Sequence, residues 1–243
     1  MKSFLRWLGF IVASGLALQI FFLGRIAIMA AVDPQSSTFE RSEAYRVFTQ
    51  SGRLRWAQQW MPYTSISDNL KRAVVASEDG SFTNHDGVDW EALEKAWQRN
   101  AKAEEAAAKR AQAARPSTRP PKIVGGSTIT QQLAKNMLLS GERTLLRKGQ
   151  EIVLTFALEK MLSKERILEI YLNSVEWGEG VFGAEAAAQH YYRKNASQLS
   201  PYESARLAVM LPRPRYFEKL PNSGYLASRA GTIVARMRDA ELP

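Results

Sequence analysis

Residues 7–23 of this chain, WLGFIVASGLALQIFFL, carry no charge, and after Gly24 and Arg25 the apolar run resumes from Ile26 to Val32. A helix needs roughly 20 predominantly apolar residues to cross a bilayer, and this stretch supplies them when Arg25 snorkels to an interface. Whatever the rest of the chain folds into therefore hangs behind one spanning helix. A cleaved signal peptide is the competing reading, with an apolar region of about 7–15 residues. This run is longer, and the small residues around Ala27 to Ala31 match a cleavage site poorly. The chain thus divides into a tail and transmembrane anchor over 1–32, a juxtamembrane segment over 33–67 and a folded domain over 68–243. Lys2 and Arg6 before the span favour a cytoplasmic N-terminus, but Arg25, Arg41 and Arg46 follow it and weaken that signal.

At 243 residues with 45% hydrophobic content, the chain is long enough for one ordinary domain with a real core. Its formal net charge of +9 points to an anionic partner: a membrane surface, a phosphorylated substrate or nucleic acid. Nucleic acid is set aside, because no zinc, helix-turn-helix or RNA-binding signature accompanies the charge. The absence of cysteine excludes disulfides and thiolate metal sites.

Residues 33–67 read as a partly extended segment with Tyr45, Trp56, Trp60 and Tyr63. From Asn69 the apolar spacing of Leu70, Ala73 and Val74 is helical. A charged helix is predicted over 90–115, its second half almost without a bulky apolar face, and hence a solvated projection. Thr128 and Gln131 fit a capping box, as do Ser200 and Glu203 with Pro201 at the first helical position. That last helix stops before Pro212, and Ser163 caps another. Strand signals are scarce, and 175–183 reads as a glycine-punctuated loop, so the domain is mainly α.

Two polar clusters carry the candidate chemistry. In EDGSFTNHDGVDW, Glu78 ends an apolar helix beside Asp79. Burial against apolar surface and a neighbouring acid would raise its pKa, as a general base at neutral pH requires. On spacing alone this reading and that of a solvated helix end stand equal. His85 and His190 read as structural, since no second histidine stands at ligand spacing. The second cluster is GGSTITQQLAKNMLLSGERTLLRKGQE. Gln132, Lys135, Asn136 and Leu139 share one stripe of its first helix, while Ile129, Leu133 and Met137 face another way. The two glycines before that helix leave its N-terminal amides open to an anion. Glu151 stands three and four residues after Lys148 and Arg147, the spacing of ordinary intrahelical ion pairs.

Taken together, EDGSFTNHDGVDW, GGSTITQQLAKN, RKGQE, KERILEIYLNSVEWGEGVFGAEAAAQHYYRK and LSPYESARLAVMLPRP resemble, in order, the five blocks of the peptidoglycan glycosyltransferases. The resemblance covers roughly residues 69–214, and the chain ends too soon after it for a transpeptidase domain. It implies a lysozyme-like, two-lobed helical domain that polymerises lipid II with inversion and releases undecaprenyl pyrophosphate. Glu78 matches the general base and Glu151 the second glutamate. Lys135 and Arg143 match the cations at the pyrophosphate, Arg147 and Lys148 support them, and Ser127, Thr128, Gln131, Gln132 and Asn136 line the groove. The resemblance also implies a periplasmic domain on the inner membrane, with other cell-wall synthases as partners. It requires no organic cofactor and no resident metal; a divalent ion such as Mg or Mn would accompany the pyrophosphate, with Glu151 either orienting the cations or holding that ion. Residues 101–122 are longer and richer in Ala, Lys and Glu than the family pattern, which marks them as a dispensable projection.

Two rivals stand beside this reading. A lytic enzyme of lysozyme-like fold would also use paired carboxylates, but cleavage between sugars releases no pyrophosphate and gives the cations nothing to do. A non-catalytic anchored scaffold would need neither glutamate.

Overall fold

The computed structural model describes residues 2–112, 125–139, 141 and 144–243, so Arg143, the end of the 90–115 helix and the second half of the 101–122 projection lie outside it. Helix α1 (Lys2–Met29) is one uninterrupted element. Phe4, Trp7, Phe10 and Ile20 on it are exposed, whereas Phe22, Ile26 and Met29 are buried. Most of the helix is thus an apolar rod without protein contacts, the form a bilayer anchor requires, and only its last turns pack on the domain.

Residues 33–67 are more helical than expected. Helix α2 (Thr38–Ser51) begins with a full capping box between Ser37 and Glu40 and ends at Gly52, whose φ of 66° is left-handed. Glu40 is fully buried, and its carboxylate accepts from the Ser37 amide at 2.6 Å and from Gln58 Nε2 at 3.2 Å. The segment turns extended only afterwards, through β1 (Ala57–Gln58).

The domain continues through α3 (Asp68–Glu78), α4 (Trp90–Gln112), α5 (Ile129–Leu138), α6 (Leu145–Met161) and α7 (Lys164–Ser174). After a β2–β3 hairpin (Glu176–Gly178, Val181–Phe182) come α8 (Ala184–Tyr192), α9 (Pro201–Met210), α10 (Pro214–Phe217) and α11 (Gly224–Arg236). The caps expected at Thr128, Ser163 and Ser200 are all formed. Helices α3, α9 and α11 pack as one group and α5, α6 and α7 as another, with α2 lying on α5 and α1 on α6. Leu70, Val74, Ile129, Leu133, Leu158 and Ile170 close a shared core.

The expected 175–183 loop is instead a hairpin whose strand β3 pairs antiparallel with β2 and parallel with β1. Its turn needs Gly180, at φ +75°, because a Cβ there would stand 2.4 Å from the Arg55 carbonyl oxygen. Local composition hides these strands, since they are only two and three residues long and β3 takes its second partner, β1, from over a hundred residues earlier in the sequence.

Candidate functional site

The α5 N-terminus organises the site. Thr128, 2% exposed, accepts from the Gln131 amide at 3.2 Å, and Gln131 Oε1 accepts from the Thr128 amide at 3.1 Å. The Thr128 hydroxyl also donates to the Gly87 carbonyl at 2.6 Å. Ile129 N donates to Asp79 Oδ2 at 3.0 Å, while Asp79 Oδ1 faces His85 Nε2 at 2.9 Å. Because His85 Nδ1 accepts from Gly87 N, the ring's proton belongs on Nε2, where it donates to Asp79. Gly87, at φ +90°, leaves no room for a side chain: a Cβ would meet Thr155 Cγ2 at 2.7 Å.

Two expectations change here. The α5 N-terminus does meet an anion, but that anion is Asp79, which the sequence offered only as a neighbour of Glu78. Thr128 is a buried cap and does not line the groove, because both of its polar groups are used within the protein. His85 is structural, as expected. His190 is half-exposed, with its Nε2 3.6 Å from Glu218.

Beside this cap lies a cavity of 660 Å³, lined by Ser127, Gln131, Gln132, Lys135 and Asn136 on one side and by Arg147, Lys148 and Glu151 on another. Ile129, Leu133 and Met137 turn into the core, so the two stripes of α5 separate as the spacing predicts. Glu78 stands half-buried next to this wall, where its Oε2 accepts from Gln132 Nε2 at 3.0 Å. Burial pushes the Glu78 carboxyl above its ordinary range and the charge of Asp79 adds to this, while hydrogen bonds from Gln132 and Ser77 and the charge of Lys135 oppose it.

Glu151 is only 3% exposed. Arg147 Nη1 reaches its Oε2 at 2.8 Å and Lys148 Nζ its Oε1 at 2.5 Å. The ion pairs that spacing suggested are made, but around a buried carboxylate rather than on a wet face, and two cations on one anion leave this wall positive. Arg147 Nε is buried and has no protein partner among the described residues. Both Glu151 oxygens are engaged by these cations, and among the described residues no three acidic or imidazole side chains converge.

Sequence reasoning did not anticipate the rest of the lining. Thr38, Phe39 and Ser42 of α2 close one side, so the juxtamembrane segment is part of the groove. Thr38 Oγ1 donates to the Met137 carbonyl at 2.9 Å and pins α2 to α5. Glu176 closes another side and is held by Arg215 through bonds of 2.8 and 3.1 Å, with Glu43 on the same guanidinium. Burial pushes the Glu176 carboxyl up, and Arg215 draws it back. The Ser37–Glu40 spacing was a legible signal for α2; nothing local marked Glu176.

A family model described as Transglycosylase matches residues 46–238. The biosynthetic peptidoglycan transglycosylase of Burkholderia thailandensis is 49% identical over 242 residues, covering 98% of this chain and 88% of that protein. The protein of the same name from Bordetella pertussis is 51% identical over 225 residues, covering 93% of this chain and 88% of the relative. The one from Paraburkholderia phytofirmans is 50% identical over 243 residues, covering 98% and 94%. With these likenesses running through the helical groove just described, the chain belongs to the transglycosylase family, whose domain is lysozyme-like.

Proposed function

We propose that the chain polymerises lipid II into linear peptidoglycan strands, with Glu78 as the general base. The observation that carries this reading is the hydrogen bond between Glu78 and Gln132, which sets a carboxyl of raised pKa beside the cavity that also holds Lys135, Arg147 and Lys148. Glu78 removes the proton from the 4-hydroxyl of the incoming lipid II's N-acetylglucosamine. That oxygen bonds to the anomeric carbon of the growing strand's terminal N-acetylmuramic acid, with inversion, as the bond to undecaprenyl pyrophosphate breaks. The leaving pyrophosphate gathers negative charge. Fixed cations stabilise it without having to reorganise, and removing one such group typically costs about 10²–10³ in kcat. Glu151 holds Arg147 and Lys148 in place for this task. Gln131, Ser127 and Asn136 offer hydrogen bonds to sugar hydroxyls along the wall.

The same reading places the domain outside the cytoplasmic membrane with the N-terminus inside, and it takes the lipid-linked substrate from the layer in which α1 is anchored. A lytic reading leaves the cation wall without a partner of matching charge. The test is incubation of the purified full-length protein with lipid II in detergent beside Glu78→Gln, with products resolved by size. Long, lysozyme-sensitive glycan from the wild type alone supports the proposal. Equal polymerisation by both proteins overturns Glu78 as base, and release of muropeptides from sacculi favours lysis.

A further inference from the structure

Behind Glu78 stands a second layer that the reaction scheme does not use. Tyr171 on α7 is 1% exposed, and its hydroxyl lies 3.0 Å from Gln132 Oε1. The other end of the same amide, Nε2, lies 3.0 Å from Glu78 Oε2. A side-chain amide has one accepting and one donating end, so the two contacts are not independent. An ionised Glu78 only accepts, and it requires the NH2 end. That orientation turns Oε1 inward, where it meets the Tyr171 hydroxyl. Burial, with the charges of Glu78 and Asp79 behind it, raises the Tyr171 pKa well above its ordinary value, so the phenol keeps its proton and donates. Were the amide reversed, its oxygen would face the carboxylate, and two acceptors would meet in a partly desolvated place.

We propose that Tyr171 is a positioning residue for the base: its buried hydroxyl locks the Gln132 amide with the NH2 end towards Glu78. The proposal rests on the reading of Glu78 as general base. Its chemical content is that the lock holds the carboxylate in one place and favours its ionised form, against burial. The charged and titratable groups that face Glu78 are Asp79 on the same turn, Lys135 on α5 and Tyr171 itself on α7. Of these, Tyr171 donates to Gln132 Oε1.

The experiment measures lipid II polymerisation by full-length wild type, Tyr171→Phe, Gln132→Ala, the double variant and Glu78→Gln, across pH. Tyr171→Phe keeps the ring in the core and removes one oxygen. We expect kcat to fall by roughly 10-fold, the size of one hydrogen bond to a charged group, with KM for lipid II within about twofold of wild type, as for a group that acts only in the chemical step. The acidic limb of kcat moves to higher pH, because a carboxylate that loses its donor binds its proton more tightly. In the Gln132→Ala background, Tyr171→Phe has no further effect, as expected for residues acting through one contact. A wild-type rate and pH limb in Tyr171→Phe, or an undiminished effect of that change in the Gln132→Ala background, overturns the lock. If Glu78→Gln polymerises normally, the base assignment itself has failed; if Glu78→Gln is dead and Tyr171→Phe is normal, only the lock has. Thermal unfolding of Tyr171→Phe accompanies the assay, and a kcat loss with an unshifted pH limb marks mere loosening and also overturns the proposal.

Discussion

Asp79 and Glu78 are adjacent carboxylates with opposite duties. Asp79 bridges the first amide of α5 and the His85 ring, so Asp79→Ala strands a buried N–H and an imidazole donor. A loss of about 2–3 kcal/mol is expected, read as a fall of roughly 4–10 °C in unfolding temperature for a chain of this size. Glu151→Gln removes the anion that holds Arg147 and Lys148. Breaking a buried pair from one side costs about 3–5 kcal/mol, and polymerisation is expected to fall with it by about 10²-fold or more. Glu78 behaves differently, because its folded pKa lies above the 4.5 of the free side chain. Its contribution to stability is intact below 4.5 and is lost as pH rises through the folded value. Glu78→Gln is therefore expected to unfold at a higher temperature than wild type in alkaline buffer, to lose that advantage below 4.5, and to be inactive throughout. With Glu78 as the proposed base, wild-type activity is expected to fall as pH drops through the folded pKa, since a base must arrive unprotonated, and a pH–rate profile checks this.

At the scale of elements, the contact between anchor and domain is the informative one. Gln19 and Gln150 exchange two side-chain hydrogen bonds, of 2.8 and 2.9 Å, between α1 and α6. Gln150 is the residue before Glu151, so the anchor is bonded to the helix that carries the cation wall. Farther along, Arg166 donates to the Met29 carbonyl at 2.9 Å and pairs with Asp33 at 2.8 Å, which fixes the exit of α1. Gln19→Leu leaves a Gln150 amide without its partner, and a loss of about 1 kcal/mol in detergent is expected. The double variant Gln19→Leu/Gln150→Leu is expected to recover most of it, because replacing both partners by apolar groups leaves no orphan. Unfolding curves of the two single variants and the double variant check this. The helices themselves were legible from their caps and apolar stripes. The β2–β3 hairpin was not, because strands of two or three residues take their identity from pairing rather than composition.

For the whole molecule, the proposed topology makes a direct prediction. The chain has no cysteine, so a single Tyr225→Cys, at a site 52% exposed on α11, gives one addressable thiol. A membrane-impermeant maleimide is expected to label it in cells with a permeabilised outer membrane, and to label Ser3→Cys only after lysis. The reverse pattern would place the domain in the cytoplasm. The sequence by itself determined the long apolar N-terminal helix, the mainly helical domain and the partition of α5 into a core stripe and a polar stripe. These follow from periodicity and capping, which are local and survive without tertiary context. Only the tertiary structure decided that Asp79 rather than a ligand occupies the α5 N-terminus, that Glu151 is buried under its cations, and that α2 and Glu176 wall the groove. Each of these depends on which distant segments meet. A carboxylate's role is set by its burial and its partners, and one-dimensional spacing records neither.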